Sequence, residues 1–175
     1  AIQINWIGRS YGADVDFRVG DDIMTVYTTR VDTIFGVTFC VLAPEHKLVQ
    51  NWINEGKISN VEDVNAYISA ARAKSEFERT DAGKEKTGVE LKGIRAINPF
   101  TGTEIPVFTS DYVLVDYAYG TIMAVPAHDE RDWDFGKKFG LKIIPVLAGG
   151  EPDKVWTGDG AHINSEFLNG MDKET

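Results

Sequence analysis

Two short segments hold the side chains best suited to chemistry. Thr28-Thr29-Arg30-Val31-Asp32-Thr33 gathers hydroxyls, a guanidinium and a carboxylate, and Val125-Pro126-Ala127-His128-Asp129-Glu130-Arg131-Asp132 sets an imidazole beside a run of charged groups. Each follows a strand-like run and leads into a loop or helix start, so the two can converge in space. Threonines bring hydroxyls that hydrogen-bond ribose and methyls that shape a small apolar pocket; the same β-branched residues also favour strands for purely structural reasons. In the second segment Asp129 reads as a helix cap, with Asp132 three positions on as its reciprocal partner. Asp132 could work chemically even so. His128 could act as base or ligand, but no second histidine lies at metal spacing, so a hydrogen-bonded structural imidazole is the better reading. His46 and His162 read as surface residues. The lone cysteine, Cys40, lies in the apolar run Thr38-Phe39-Cys40-Val41-Leu42 and reads as core filling, which leaves no intrachain disulfide and no cysteine cluster for zinc. Trp133, Phe135 and Phe139 fit packing better than base stacking.

Other catalytic signatures are missing: the sequence contains no H-E-x-x-H, phosphate-binding G-x-x-x-x-G-K-[ST] or G-x-G-x-x-G. Zinc chemistry therefore lacks support. The net charge of -9 argues against a domain that grips nucleic acid through a broad basic face.

The elements that must position these residues follow from periodicity. With 175 residues, 43% hydrophobic and 26% charged, the chain has the size and composition of one globular domain. No apolar run approaches the roughly 20 residues of a membrane-spanning helix, and the first residues lack a basic-then-apolar leader, so a cytoplasmic domain with no membrane partner is expected. Ala13, Val15, Phe17 and Val19 alternate with polar residues as in a half-buried strand, Asp21-Asp22 turns the chain, and residues 23–29 and 36–42 read as further strands. Pro44 suits a helix's first turn, with Leu48, Val49, Trp52 and Ile53 on one face and Gly56 at the end. A second helix capped by Ser59 or Asn60 carries Val61, Val64, Ile68 and Ala71, and its exposed end, running through Arg79, should fray. Residues 81–88 read as a polar connection. Strands are predicted at 89–91, 94–97, 105–108, 112–115 and 121–125, followed by a helix from about Asp129 to Phe139 that stops at Gly140. The expected fold class is α+β: a small β-barrel-like core of mostly short strands, or two packed sheets, with three peripheral helices.

At this point the sequence resembles one family. Asn5-Trp6-Ile7-Gly8-Arg9-Ser10, Thr28 to Gly36, Met123 to Asp132, and His162-Ile163-Asn164-Ser165-Glu166-Phe167-Leu168-Asn169-Gly170 together resemble the editing (connective polypeptide) domain of bacterial-type leucyl-tRNA synthetase, in order along the whole chain. Isoleucyl and valyl enzymes share that editing fold and are the sibling alternative. The Asp32-Thr33-Ile34-Phe35-Gly36 and His128-Asp129-Glu130-Arg131-Asp132 versions look leucyl-specific.

The resemblance implies a single editing domain over 1–175, excised from a larger synthetase. Such a domain is an aminoacyl-tRNA ester hydrolase that removes isoleucine, norvaline, methionine or valine from mischarged tRNA(Leu), a step needed where binding alone cannot separate similar apolar side chains. Its partners would be the 3′ end of tRNA(Leu), the misattached amino acid and the rest of the synthetase, which would hold the tRNA body. Editing would need no metal or other cofactor. ATP would serve only the absent synthetic site, since no HIGH-type or KMSKS-type motif occurs. By resemblance, Asp132 meets the substrate's α-ammonium, and Thr28 and Thr29 meet the terminal ribose and the ester. Thr33 excludes leucine, Met123, Val125 and Tyr117 line the side-chain pocket, Arg30 orients the threonine strand or the acceptor end, and His128 and Asp129 stand beside the substrate. A benzoxaborole bridging the cis-diol of AMP or of the tRNA end should bind the same pocket. Two departures stand out: Val31 where proline is usual, which frees φ, and Ala118-Tyr119 where Gly-Thr is typical, which should reshape one wall. A binding-only module for the acceptor end is the alternative from a different class.

Overall fold

The computed structural model describes residues 4–7, 12–81, 85–150, 154–158 and 160–164, the first group as backbone. Strand β1 (Ile4–Ile7) pairs antiparallel with the first half of β2 (Gly12–Val19). In β2 the expected alternation is realised: Ala13, Val15, Phe17 and Val19 are buried, and the residues between them face outward. The chain turns through Gly20, whose φ of +58° suits a residue without a Cβ, into β3 (Asp22–Thr28), with Val19 opposite Asp22 and Ala13 opposite Thr28. β4 (Phe39–Leu42) is buried throughout because it is covered on both faces. Cys40 and Leu42 join the barrel interior, whereas Phe39 and Val41 pack outward.

β5 (Val89–Ile97), β6 (Glu104–Thr109) and β7 (Thr121–Ala124) complete the sheet. Its order β3-β2-β5-β6-β4-β7 curls until β3 and β7 lie side by side, giving a nearly closed six-strand barrel with β1 as an extension. The β4–β6 pair is parallel and the rest are antiparallel. No ladder joins β3 to β7; across that seam the Thr121 hydroxyl donates to the Thr25 carbonyl at 2.5 Å. The two pieces predicted at 89–91 and 94–97 are one strand, with a register shift near Gly93 (φ +101°), where a Cβ would collide with the Lys57 carbonyl.

Among the described residues four α-helices surround the barrel rather than three. α1 (Lys47–Asn54) is capped not at Pro44 but by His46, whose Nδ1 accepts from the Leu48 amide, so His46 is half-buried instead of free on the surface. α1 buries Val49 and Trp52, and the indole N–H of Trp52 donates to Asp22 at 2.8 Å. α2 (Val61–Arg72) buries Val64, Ile68 and Ala71. Asn60 precedes it but makes no side-chain cap; its amide group instead donates to the Glu90 carbonyl and accepts from the Lys92 amide, pinning the helix to β5.

The predicted fraying end of α2 is a separate helix, α3 (Glu76–Thr80), started by a capping box between Ser75 and Glu78. Far from being exposed, Arg79 is 9% accessible and donates to the carbonyls of Asp111 and Val113 and to Glu45. Residues 112–115 form turns, not the expected strand. α4 (Glu130–Lys138) begins at Asp129, which accepts from the amides of Arg131 and Asp132, and ends before Gly140. Phe135 on α4 stacks on Phe39 at 5.4 Å and meets Phe108 edge-on at 5.3 Å, so the helix lies against the outer face of β4 and β6. Among the described residues no helix is long and apolar enough to cross a membrane.

Candidate functional site

A cavity of about 320 Å³ opens at the seam between β3 and β7. Thr28, Thr29, Arg30 and Thr33 supply one wall, from the end of β3 and the 3-10 turn Val31–Gly36 that follows. Met123, Val125, His128, Asp129 and Asp132 supply the other, from β7 and the start of α4. The two segments singled out in the sequence thus meet.

The threonine wall is fixed by local hydrogen bonds. Thr28 Oγ1 accepts from the Arg30 amide at 3.0 Å, and both the amide and the hydroxyl of Thr33 donate to the Arg30 carbonyl, at 3.1 and 2.8 Å. With its hydroxyl so engaged, Thr33 has its methyl left to offer the cavity. The Arg30 guanidinium makes a two-point contact with Asp32, Nε to Oδ1 at 2.9 Å and Nη2 to Oδ2 at 2.8 Å. Asp32 also meets His162 Nε2 at 2.8 Å. Burial alone would raise the Asp32 pKa, but the bonds from Arg30 and His162 outweigh it and hold the carboxyl below its ordinary 3.8. His162 is therefore no surface residue. It is 1% accessible, and it ties the threonine wall to the far end of the described chain.

On the opposite wall Asp132 is 5% accessible. It does not reciprocate the Asp129 cap; one oxygen accepts from the Val125 amide at 3.0 Å and the other from the Tyr112 hydroxyl at 3.1 Å. Burial first, and the neighbouring Asp129 charge second, push its pKa up from 3.8 to about 7, against the pull of those two donors and of Arg131. His128 is a structural clamp. Its Nδ1 bonds the Trp156 carbonyl at 2.7 Å, while Nε2 accepts from the amides of Val146 and Leu147 at 2.9 and 3.2 Å. That pattern requires the neutral ring with the proton on Nδ1, and burial, the largest influence on its pKa, lowers it from 6.5 in keeping.

The family described as "Leucyl-tRNA synthetase, editing domain" matches residues 4–175. The chain belongs to that family. Among solved structures, the chain is similar to the AgnB2 leucyl-tRNA synthetase of Agrobacterium radiobacter K84, described as a ternary complex with tRNA and LeuAMS. Identity is 36% and the TM-score 0.65, over 87% of this chain and 18% of that one. The editing domain described here thus spans under a fifth of the length of that relative, and the leucyl match sets aside the isoleucyl and valyl alternative.

Tyr117 departs from the expected arrangement. It is 62% exposed and lines not this cavity but a neighbouring one of about 310 Å³, with Ala118, Ile122 and Arg131 between the two. Ala118 and Tyr119 both adopt left-handed backbone, at φ 49° and 62°, ahead of Gly120 at 70°. Non-glycine residues pay for that conformation in strain. Of the pair, Ala118 borders the site, whereas Tyr119 turns outward and donates to Asp14 at 2.9 Å. Val31 packs against the core. Sequence reasoning missed Asp32, Tyr112 and His162 as members of the site's framework. The pair Arg30 and Asp32, two apart on a tight turn, carried a local signal; His162 opens one of the motifs that carry the resemblance but nothing local ties it to Asp32, and Tyr112 arrives from a distant chain position and carried none.

Proposed function

We propose that this cavity hydrolyses the ester of mischarged tRNA(Leu), within a larger synthetase whose other parts hold the tRNA body. The observation that carries this reading is the buried Asp132 carboxylate, tied by both oxygens beside a wall of threonines. An anion in a water-poor cavity suits an α-ammonium, because the low local dielectric strengthens the contact. Thr28 and Thr29 would bind the terminal ribose and the ester, with Arg30 holding the threonine turn through Asp32. Met123 and Val125 would receive an isoleucine, norvaline, methionine or valine side chain, and the Thr33 methyl would occupy the space a leucine δ-carbon needs.

Water attacks the ester carbonyl carbon, the bond to the ribose oxygen breaks, a proton from the water passes to that oxygen, and the free amino acid leaves with the ribose hydroxyl restored. His128 is a poor base because both ring nitrogens are engaged. Cys40 lies in the core with its thiol pushed far above its ordinary pKa by burial, so it is no nucleophile. Catalysis then rests on positioning water, ester and ribose hydroxyls, and it calls for no metal or ATP. The acidic charge of -9 fits a domain that receives only the acceptor end.

The test is release of isoleucine and norvaline, against leucine, from charged tRNA(Leu) by this chain and by a full-length synthetase carrying it. Hydrolysis of the mischarged esters with leucine spared supports the reading. Binding of the acceptor end without turnover in either setting would replace it with a binding module.

A further inference from the structure

We propose that Tyr112 is a positioning residue of the site, whose hydroxyl aims the Asp132 carboxylate from outside the cavity. This rests on the reading of Asp132 as the α-ammonium acceptor. Tyr112 does not border the cavity at the seam; it lies behind it, in the turns after β6, and lines the neighbouring cavity. Its hydroxyl donates to Oδ1 of Asp132 at 3.1 Å while the Val125 amide donates to Oδ2 at 3.0 Å. Donors from two separate elements therefore fix the carboxylate plane, and each oxygen keeps lone-pair capacity for a third partner.

The ring itself is held. It packs on Phe135 with centroids 5.7 Å apart, and Lys86 Nζ and the Arg131 guanidinium each lie 6.0 Å from its centre. The phenol is thus delivered at a set place, as a supporting donor must be. The charged and titratable groups around Asp132 are Asp129 and Arg131 on α4, Cys40 on β4, and Tyr112 itself. Of these, Asp129 disfavours the carboxylate, whereas Arg131 and the Tyr112 hydroxyl favour it. Removing the hydroxyl should leave the ionised form less favoured and its direction less constrained.

Tyr112→Phe deletes only that oxygen and keeps the ring contacts. Its effect is read on this chain by carbon-13 NMR titration of the Asp132 carboxyl and by the pH profile of isoleucyl-tRNA(Leu) deacylation. The expected result is an Asp132 titration moved up by about one pH unit. With it, kcat/KM should fall about tenfold at pH 6 and stay within about twofold of the parent at pH 8.5. Tyr112→Leu removes the ring as well. If Phe is silent in both measurements and only Leu is harmful, Tyr112 is packing and the proposal falls. If the titration moves but deacylation ignores it, Tyr112 does hold Asp132, and the assignment of Asp132 to the substrate is what fails.

Discussion

Asp132→Asn should stabilise this domain while silencing it. The amide keeps the carboxylate's shape, can still accept from the Val125 amide, and can donate to the Tyr112 oxygen once that hydroxyl turns round. What it removes is a buried ionisable group. In the native state burial, helped by Asp129, lifts the Asp132 pKa from 3.8 to about 7. Below about pH 3.8 folded and unfolded chains both hold the proton, so the group changes nothing. Between there and about pH 7 the unfolded chain has released its proton while the native chain keeps it, so stability falls as pH rises. Above about pH 7 the penalty is constant, and at about 1.4 kcal/mol per pH unit it is on the order of 4 kcal/mol. The asparagine variant lacks this slope. Urea unfolding from pH 4 to 8.5 should show its advantage over the parent growing with pH and levelling off near 7. Deacylation should meanwhile drop by the equivalent of about 2–5 kcal/mol, the usual effect of deleting one partner of a buried charged contact, or roughly 30- to several-thousand-fold. A stability difference that is flat with pH, or a variant weaker than the parent at pH 8, would refute the argument. Alanine is the poorer probe, because it strands the Tyr112 hydroxyl and the Val125 amide at about 1–3 kcal/mol each.

Thr33→Ala should make the domain hydrolyse correctly charged leucyl-tRNA(Leu) at a cost of only about 1 kcal/mol from the lost bond to Arg30, whereas Thr33→Phe should stop all hydrolysis by filling the cavity. A Thr33→Ala protein that still spares leucine would sink the steric account. His128 works as a neutral clamp with its pKa lowered, so its contribution is intact above about pH 6.5 and is lost as pH falls through the lower native value. Protection of the Val146 and Leu147 amides against hydrogen exchange should then collapse before that of the barrel strands, and unchanged protection at pH 5 would contradict it. Arg79→Ala should lower stability by about 3 kcal/mol or more by leaving the carbonyls of Asp111 and Val113 and the Glu45 carboxylate without their donor. Arg79→Lys should recover only part of this, since an ammonium cannot reproduce the guanidinium fork, and equal urea midpoints for the parent and the Arg79→Lys chain would show that the fork is unimportant.

Legibility followed the range of the interaction. The alternation in β2, the wholly apolar β4 and the Asp129 cap on α4 are local patterns, and each was plain in the sequence. So was the convergence of the two chemical segments, since each sits at a strand end. The errors share one cause. Residues 112–115 have strand-like composition yet form turns, because the Arg79 guanidinium claims the carbonyls at 111 and 113 that a ladder would use. Arg79 looked solvated for the same reason: charge predicts exposure unless a distant partner exists. His162 was misplaced because its partner, Asp32, lies 130 positions away. Likewise Asp132 looked like half of a capping box, and only the arrival of Tyr112 and the Val125 amide turns its side chain away from that duty.

The unladdered seam between β3 and β7 has a consequence for how the protein comes to have a site at all. Its walls belong to chain segments that meet through Thr25 and Thr121, 96 positions apart. Forming the cavity therefore carries the closure cost of a distant contact. No local fragment can retain it. A ligand lodged there binds the closed barrel and not its precursors, so it acts as a staple across the one line where the sheet has no ladder of its own. Its grip should register as a rise in the melting temperature of the whole domain, not of the loops it touches.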